Sequence, residues 1–160
     1  MRLISLFLFA LSISPAAADK TKSYRGAWFD ISYPADFKIK PSLKNASIEG
    51  KYDSAFFIAP DAAVRFYIFS PQWSGETPDI AQREDEKLAD EKTETENGFT
   101  RRYFTYRPQG NGLTRSYVET TNADKTVRWV VGIEYKDQKA YARYKSAYLK
   151  FKKSLRQYAD

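Results

Sequence analysis

The sequence predicts a single α+β domain built on a largely antiparallel sheet. Three observations carry this. Short aromatic and β-branched runs alternate with Pro, Asn-Gly and Asp-containing turns; three such runs in the second half have hairpin spacing; and one long stripe of large apolar residues near the end repeats at helical intervals.

The domain is expected to begin after a leader. Met1-Arg2 is a basic start, Leu3 to Ile13 is apolar apart from Ser5 and Ser12, and Pro15 precedes the small-residue site Ala16-Ala17-Ala18. The run is much shorter than the ~20 residues that span a bilayer, so it reads as a cleaved signal peptide over 1–18 rather than an anchor. The expected mature chain is one domain over 19–160, periplasmic or secreted from a bacterium.

Ala27 to Tyr33 reads as the first strand, stopped by Pro34, which has no N–H to give a ladder. Phe37 to Ile39 resumes it. Ala55 to Ala59 and Val64 to Ser70 form a hairpin about Pro60-Asp61, and the second of these, bulky on both faces, is expected inside the sheet. Thr77-Pro78-Asp79 has the cap, proline and acid of a helix start, so a surface helix is expected to about Glu91, with a thin stripe of Ile80, Ala81, Leu88 and Ala89. Phe99 to Arg107, Leu113 to Thr121 and Thr126 to Tyr135 form a meander, its first turn marked by Asn111-Gly112. One register sets Glu119 opposite Arg128. Tyr141, Tyr144, Tyr148, Phe151, Leu155 and Tyr158 then fall on one helical face, with Lys139, Arg143, Lys150 and Lys153 on the other.

Composition excludes several classes of chemistry. With no cysteine there are no disulfides, no lipid-bearing cysteine and no thiolate metal site; with no histidine there is no Ser-His-Asp triad and no imidazole metal cage. No phosphate loop, dinucleotide fingerprint or nucleophile elbow occurs. No cofactor and no metal are expected, and any acid–base chemistry would fall to carboxylates, lysines or tyrosines, a carboxylate-dependent hydrolase being the less favoured reading. Asn45-Ala46-Ser47 is a glycosylation sequon that is idle in a bacterial exporter.

The order of elements, with Ser32-Tyr33-Pro34-Ala35-Asp36-Phe37 at the first turn, Phe69-Ser70-Pro71 after the hairpin and the aromatic helix at the end, resembles the PsbP-like family. That family includes an extrinsic subunit of the photosynthetic water-oxidising complex, a Ran-binding protein and bacterial DcrB-like domains. The resemblance implies an α/β/α sandwich with a central antiparallel sheet and a non-enzymatic binding role. It transfers no catalytic residue. The missing lipid-bearing cysteine is a departure from several bacterial members.

Charge is unevenly distributed. Glu76 to Glu96 carries nine acids against three bases, and Asp137 to Asp160 seven bases against two acids. Lys139, Arg143, Lys150 and Lys153 are thus candidates for contact with a partner, or form only a solvated face. Trp73, in a loop by composition, either anchors a partner or folds over the core. Arg101, Arg102, Arg107, Arg115 and Arg128 interleave with Tyr103, Tyr106 and Tyr117; exported chains rarely meet nucleic acid and none is expected here, but Tyr and Arg are favoured at protein interfaces, so the meander is a candidate partner surface. The sequence thus points to a monomeric exported adaptor that docks an envelope protein. An anionic membrane or glycolipid surface is the alternative partner.

Overall fold

The computed structural model describes residues 20–72 and 75–158; the expected leader and Trp73 lie outside the described residues. In chain order the strands are β1 (Thr21–Arg25), β2 (Phe29–Pro34), β3 (Lys38–Pro41), β4 (Ser54–Ile58), β5 (Val64–Phe69), β6 (Glu86–Glu96), β7 (Phe99–Pro108), β8 (Thr114–Asn122), β9 (Arg128–Tyr135) and β10 (Arg156–Gln157). Helix α1 (Gln138–Lys153) precedes β10. Two antiparallel sheets result, one of order β1-β2-β10 and one of order β3-β4-β5-β9-β8-β7-β6. No helix among the described residues is long and apolar enough to cross a membrane.

The Tyr33-Pro34 stop transfers the chain between sheets. Pro34 closes β2, Phe37 N–H donates to the Pro34 carbonyl across the turn, and β3 then enters the larger sheet beside β4. The β4–β5 hairpin forms as its sequence implies, and β5 lies between β4 and β9. Its two faces serve two cores. Val64, Phe66 and Ile68 pack with the small sheet and α1, while Tyr67 and Phe69 pack with Phe104, Tyr106, Tyr117 and Val130 on the other side.

The segment expected as a first helix is different. Thr77 does cap a turn, accepting from Asp79 N–H at 3.3 Å, but a single 3-10 turn over Pro78–Ile80 ends at Ala81 with ψ 143°. Glu86–Glu96 is instead the edge strand β6, paired with β7 almost along its whole length. The thin apolar stripe gave a helix nothing to bury, and the alternating Thr and Glu residues suit a ladder with one solvated edge. The acids of β6 thereby meet the arginines of the meander. Glu91 pairs with Arg102 at 2.5 Å, Glu96 with Arg101 at 3.7 Å and Glu86 with Arg115 at 2.5 Å. The Glu119–Arg128 contact forms at 2.6 Å, though diagonally: the register opposes Glu119 to Val130 and Arg128 to Thr121.

Helix α1 is capped by Asp137, whose carboxylate accepts from Ala140 N–H at 2.8 Å. Its ridge lies on the sheet as the spacing implies. Tyr141 meets Tyr135, Tyr144 meets Phe37, Tyr148 meets Phe66, and Phe151 meets both Phe57 and Phe66. Burying a side chain of this size stabilises by roughly 1.5–3 kcal/mol. The helix ends at Ser154, so Tyr158 falls beyond it and is exposed. Ser154 also accepts from Ser32 N–H at 2.8 Å, tying the helix end to β2.

A tyrosine-lined groove as the candidate functional site

The packing of α1 falls on β2, β5 and β9. Beyond β9, the same face of the larger sheet carries short side chains, Ser116 and Val118 on β8 and Thr105 on β7. A concavity of about 450 Å³ remains between them and the helix. Thr105 and Ser116 share a hydroxyl hydrogen bond of 2.9 Å across its floor. One wall is Tyr141, Tyr148, Leu149 and Lys152 from α1; the other is Tyr103 on β7 with Asp90 and Lys92 on β6. The groove exists because the floor is small while both walls are tall.

Its surface is apolar with charged margins. Leu149 is 48 % exposed on the rim, the kind of aliphatic contact a core normally hides. Burial and the neighbouring Tyr141 push the Tyr148 phenol well above its ordinary value, so it stays a neutral wall at any physiological pH. Lys92 is held as a cation by its hydrogen bond and ion pair with Glu94. Lys152 lies 5.9 Å from the Tyr148 ring centroid. Volume and lining match those of ordinary ligand or side-chain recognition sites, which run roughly 300–1,000 Å³.

The opposite face of the same strands is sealed. Arg115 is fully buried there, donating to Glu86 from Nε at 2.7 Å and from Nη2 at 2.5 Å. It also donates to the carbonyls of Asp79 and Ala81, and to the Tyr117 hydroxyl at 3.0 Å. Tyr117 in turn donates to Glu134 at 2.7 Å, and Glu134 is paired with Arg65. Burial first, and then the Glu134 charge, drive the Tyr117 phenol well above its ordinary value. Asp79 accepts from Ser42, Ser54 and Tyr67, which pins the 3-10 turn over this core. This side holds structure together, and among the described residues it carries a hollow of about 330 Å³ beside Lys40, Arg65 and Arg83.

The helix cations singled out by sequence are all exposed. They do not act as one row. Lys139 and Lys150 are about 16 Å apart along the axis, and Arg143 between them is ion-paired with Asp61 and lies over Tyr144 at 4.8 Å. Lys150 and Lys153 instead adjoin β1 and β2. The meander arginines Arg101, Arg102, Arg115 and Arg128 are held by carboxylates rather than arrayed for a ligand. Sequence reasoning named Tyr103 among the meander aromatics but missed Leu149 and Lys152. One signal was present: Leu149 is a large aliphatic residue off the helix stripe, on a helix whose stripe was already complete.

The structure is similar to the solution structure of cyanobacterial PsbP (CyanoP) from Synechocystis sp. PCC 6803. Identity is 13 %, the match covers 92 % of this chain and 98 % of that one, and the TM-score is 0.54. Neither a family model nor a curated protein sequence matches the chain.

Proposed function

With the PsbP-like fold as premise, we propose that this chain is an exported, non-enzymatic binding domain that docks a protein partner in the cell envelope, and that the groove beside α1 is its seat. The observation that carries this is the pairing of an exposed Leu149 with tyrosine walls over a short-side-chain floor. Tyrosine-rich, partly apolar concavities with a polar rim are the usual anatomy of protein contact sites. Trp73 and the outer helix cations Lys139, Arg143, Lys150 and Lys153 are further proposed contacts, outside the groove. We do not propose a hydrolase. The groove, the hollow beside Arg65 and the basin at the helix end are each lined by one carboxylate, Asp90, Asp79 and Asp30, whereas glycoside hydrolysis employs a pair.

The test is site-specific crosslinking in the native envelope. A photo-reactive side chain at position 149 should give one discrete protein adduct that Tyr103→Ala and Lys152→Glu remove. The same probe at Lys38, an exposed position on β3, should give none. Adducts that are equally abundant from both positions, or absent from 149, would refute the groove.

A further inference from the structure

A second surface has different chemistry. Strands β1, β2 and β10 and helix α1 contain a single acid among them, Asp30. Arg25 on β1 and Arg156 on β10 both stand directly opposite it, one on each side. One Asp30 carboxylate oxygen is buried without a hydrogen-bond partner. Ser23 and Ser32 share this outward face, and Lys153, Ser154 and Arg156 complete a basin of about 320 Å³ around them. Lys150 stands one turn back beside Thr21 and Pro34, and Lys20 and Lys22 are exposed along the β1 margin.

The helix dipole accounts for cations in the last turn of α1. It does not account for Arg25 and Arg156, which belong to strands and flank Asp30 on this face. Nor does the face resemble a protein contact, because hydroxyl side chains occupy the centre where such an interface needs an apolar core. What it offers is positive charge spread over several elements, with Tyr158 exposed at its edge and Arg25 lying 5.5 Å from that ring's centroid. Dispersed cations with a flanking tyrosine suit a layer of headgroup phosphates, where affinity accumulates charge by charge and amphipathic rings settle at the interface.

We propose that this face, formed by the outer side of β1-β2-β10 and the end of α1, lies against an anionic lipid bilayer. The proposal is independent of the groove, and either surface can fail without the other. It is tested by sedimenting the mature chain with phosphatidylcholine vesicles that do or do not contain phosphatidylglycerol. Binding should require phosphatidylglycerol and vanish near 1 M salt, where the screening length is about 3 Å. At about fivefold per cation, Lys153→Gln with Arg156→Gln should weaken it roughly twenty-five-fold. Lys38→Gln with Lys87→Gln, elsewhere on the surface, should leave it within about twofold of wild type, because charge farther than a screening length of about 10 Å contributes little. Should the first pair misfold by circular dichroism, Arg25→Gln alone reads the same face and should weaken binding about fivefold. Absence of phosphatidylglycerol-dependent binding at low salt would overturn the proposal, as would equal loss in both pairs of variants. Equally tight capture by immobilised polyglutamate would reassign the face to an acidic protein.

Discussion

Arg115 leads the largest fully buried side chains among the described residues, and it binds Asp79, Ala81 and Glu86 of the segment that closes one face of the sheet as well as Tyr117 on its own strand. A buried ion pair gains little net energy over an apolar substitute, but losing one partner is costly because the other is stranded. The Glu86 carboxyl reflects this balance. Burial pushes it upward, yet the Arg115 hydrogen bonds, the Arg83 backbone N–H and both arginine charges outweigh burial and hold it below the usual carboxylate range. A depressed native value means stability that is complete above the unfolded value of about 4.3 and is lost as pH falls through the native one. Glu86→Gln should therefore destabilise at pH 7 by about 1–3 kcal/mol. The gap to wild type should close in melts recorded below about pH 4. A gap that persists unchanged at acid pH would show that the charge is not what holds this pair. Asn45 illustrates the same scale. Its side-chain nitrogen donates to buried Asp53 at 2.8 Å and its oxygen accepts from the Ser47 and Ile48 amides, so the sequon is spent on a turn.

Among elements, α1 was the most legible in sequence, because a stripe of large rings at three- and four-residue spacing has one way to be buried. Its start is equally local. Asp137→Ala should cost about 1 kcal/mol, read as a lower denaturant midpoint at unchanged slope. No change would mean that the tyrosine contacts alone fix the first turn. The meander and the β4–β5 hairpin were legible for a similar reason, with alternation and turn residues agreeing. β6 was not. Thr77-Pro78-Asp79 is a true start signal for a turn, but start signals do not set length, and the pairing of Glu91 and Glu96 with arginines on β7 is invisible until the strands are aligned. β1 and β10 escaped because each is short and polar, and their only strand partner is β2.

In the whole molecule, coverage of the larger sheet is uneven, and the groove follows from that. The β4, β5 and β9 strands are covered on one side by the small sheet and α1, whereas the β6–β7 end stands largely in solvent. Protection against amide exchange should track this. The amides of β5 and β9 should open only with global unfolding, while those of Glu91–Thr100 should exchange through local opening at much lower free energy. Uniform protection would mean that the hairpin has a support not apparent in its burial. The groove was largely illegible in sequence because it depends on what is missing between elements. Ser116, Thr105 and Val118 are ordinary strand residues until a helix stops short of them.

Finally, β2 is flanked by β1 on one side and by β10 on the other, so that Asp30 stands opposite Arg25 nearby in sequence and Arg156 from beyond α1. The small sheet is a clasp between segments that lie far apart along the chain. Closing it needs a contact of long sequence separation, so it should form later than the local hairpins of the larger sheet.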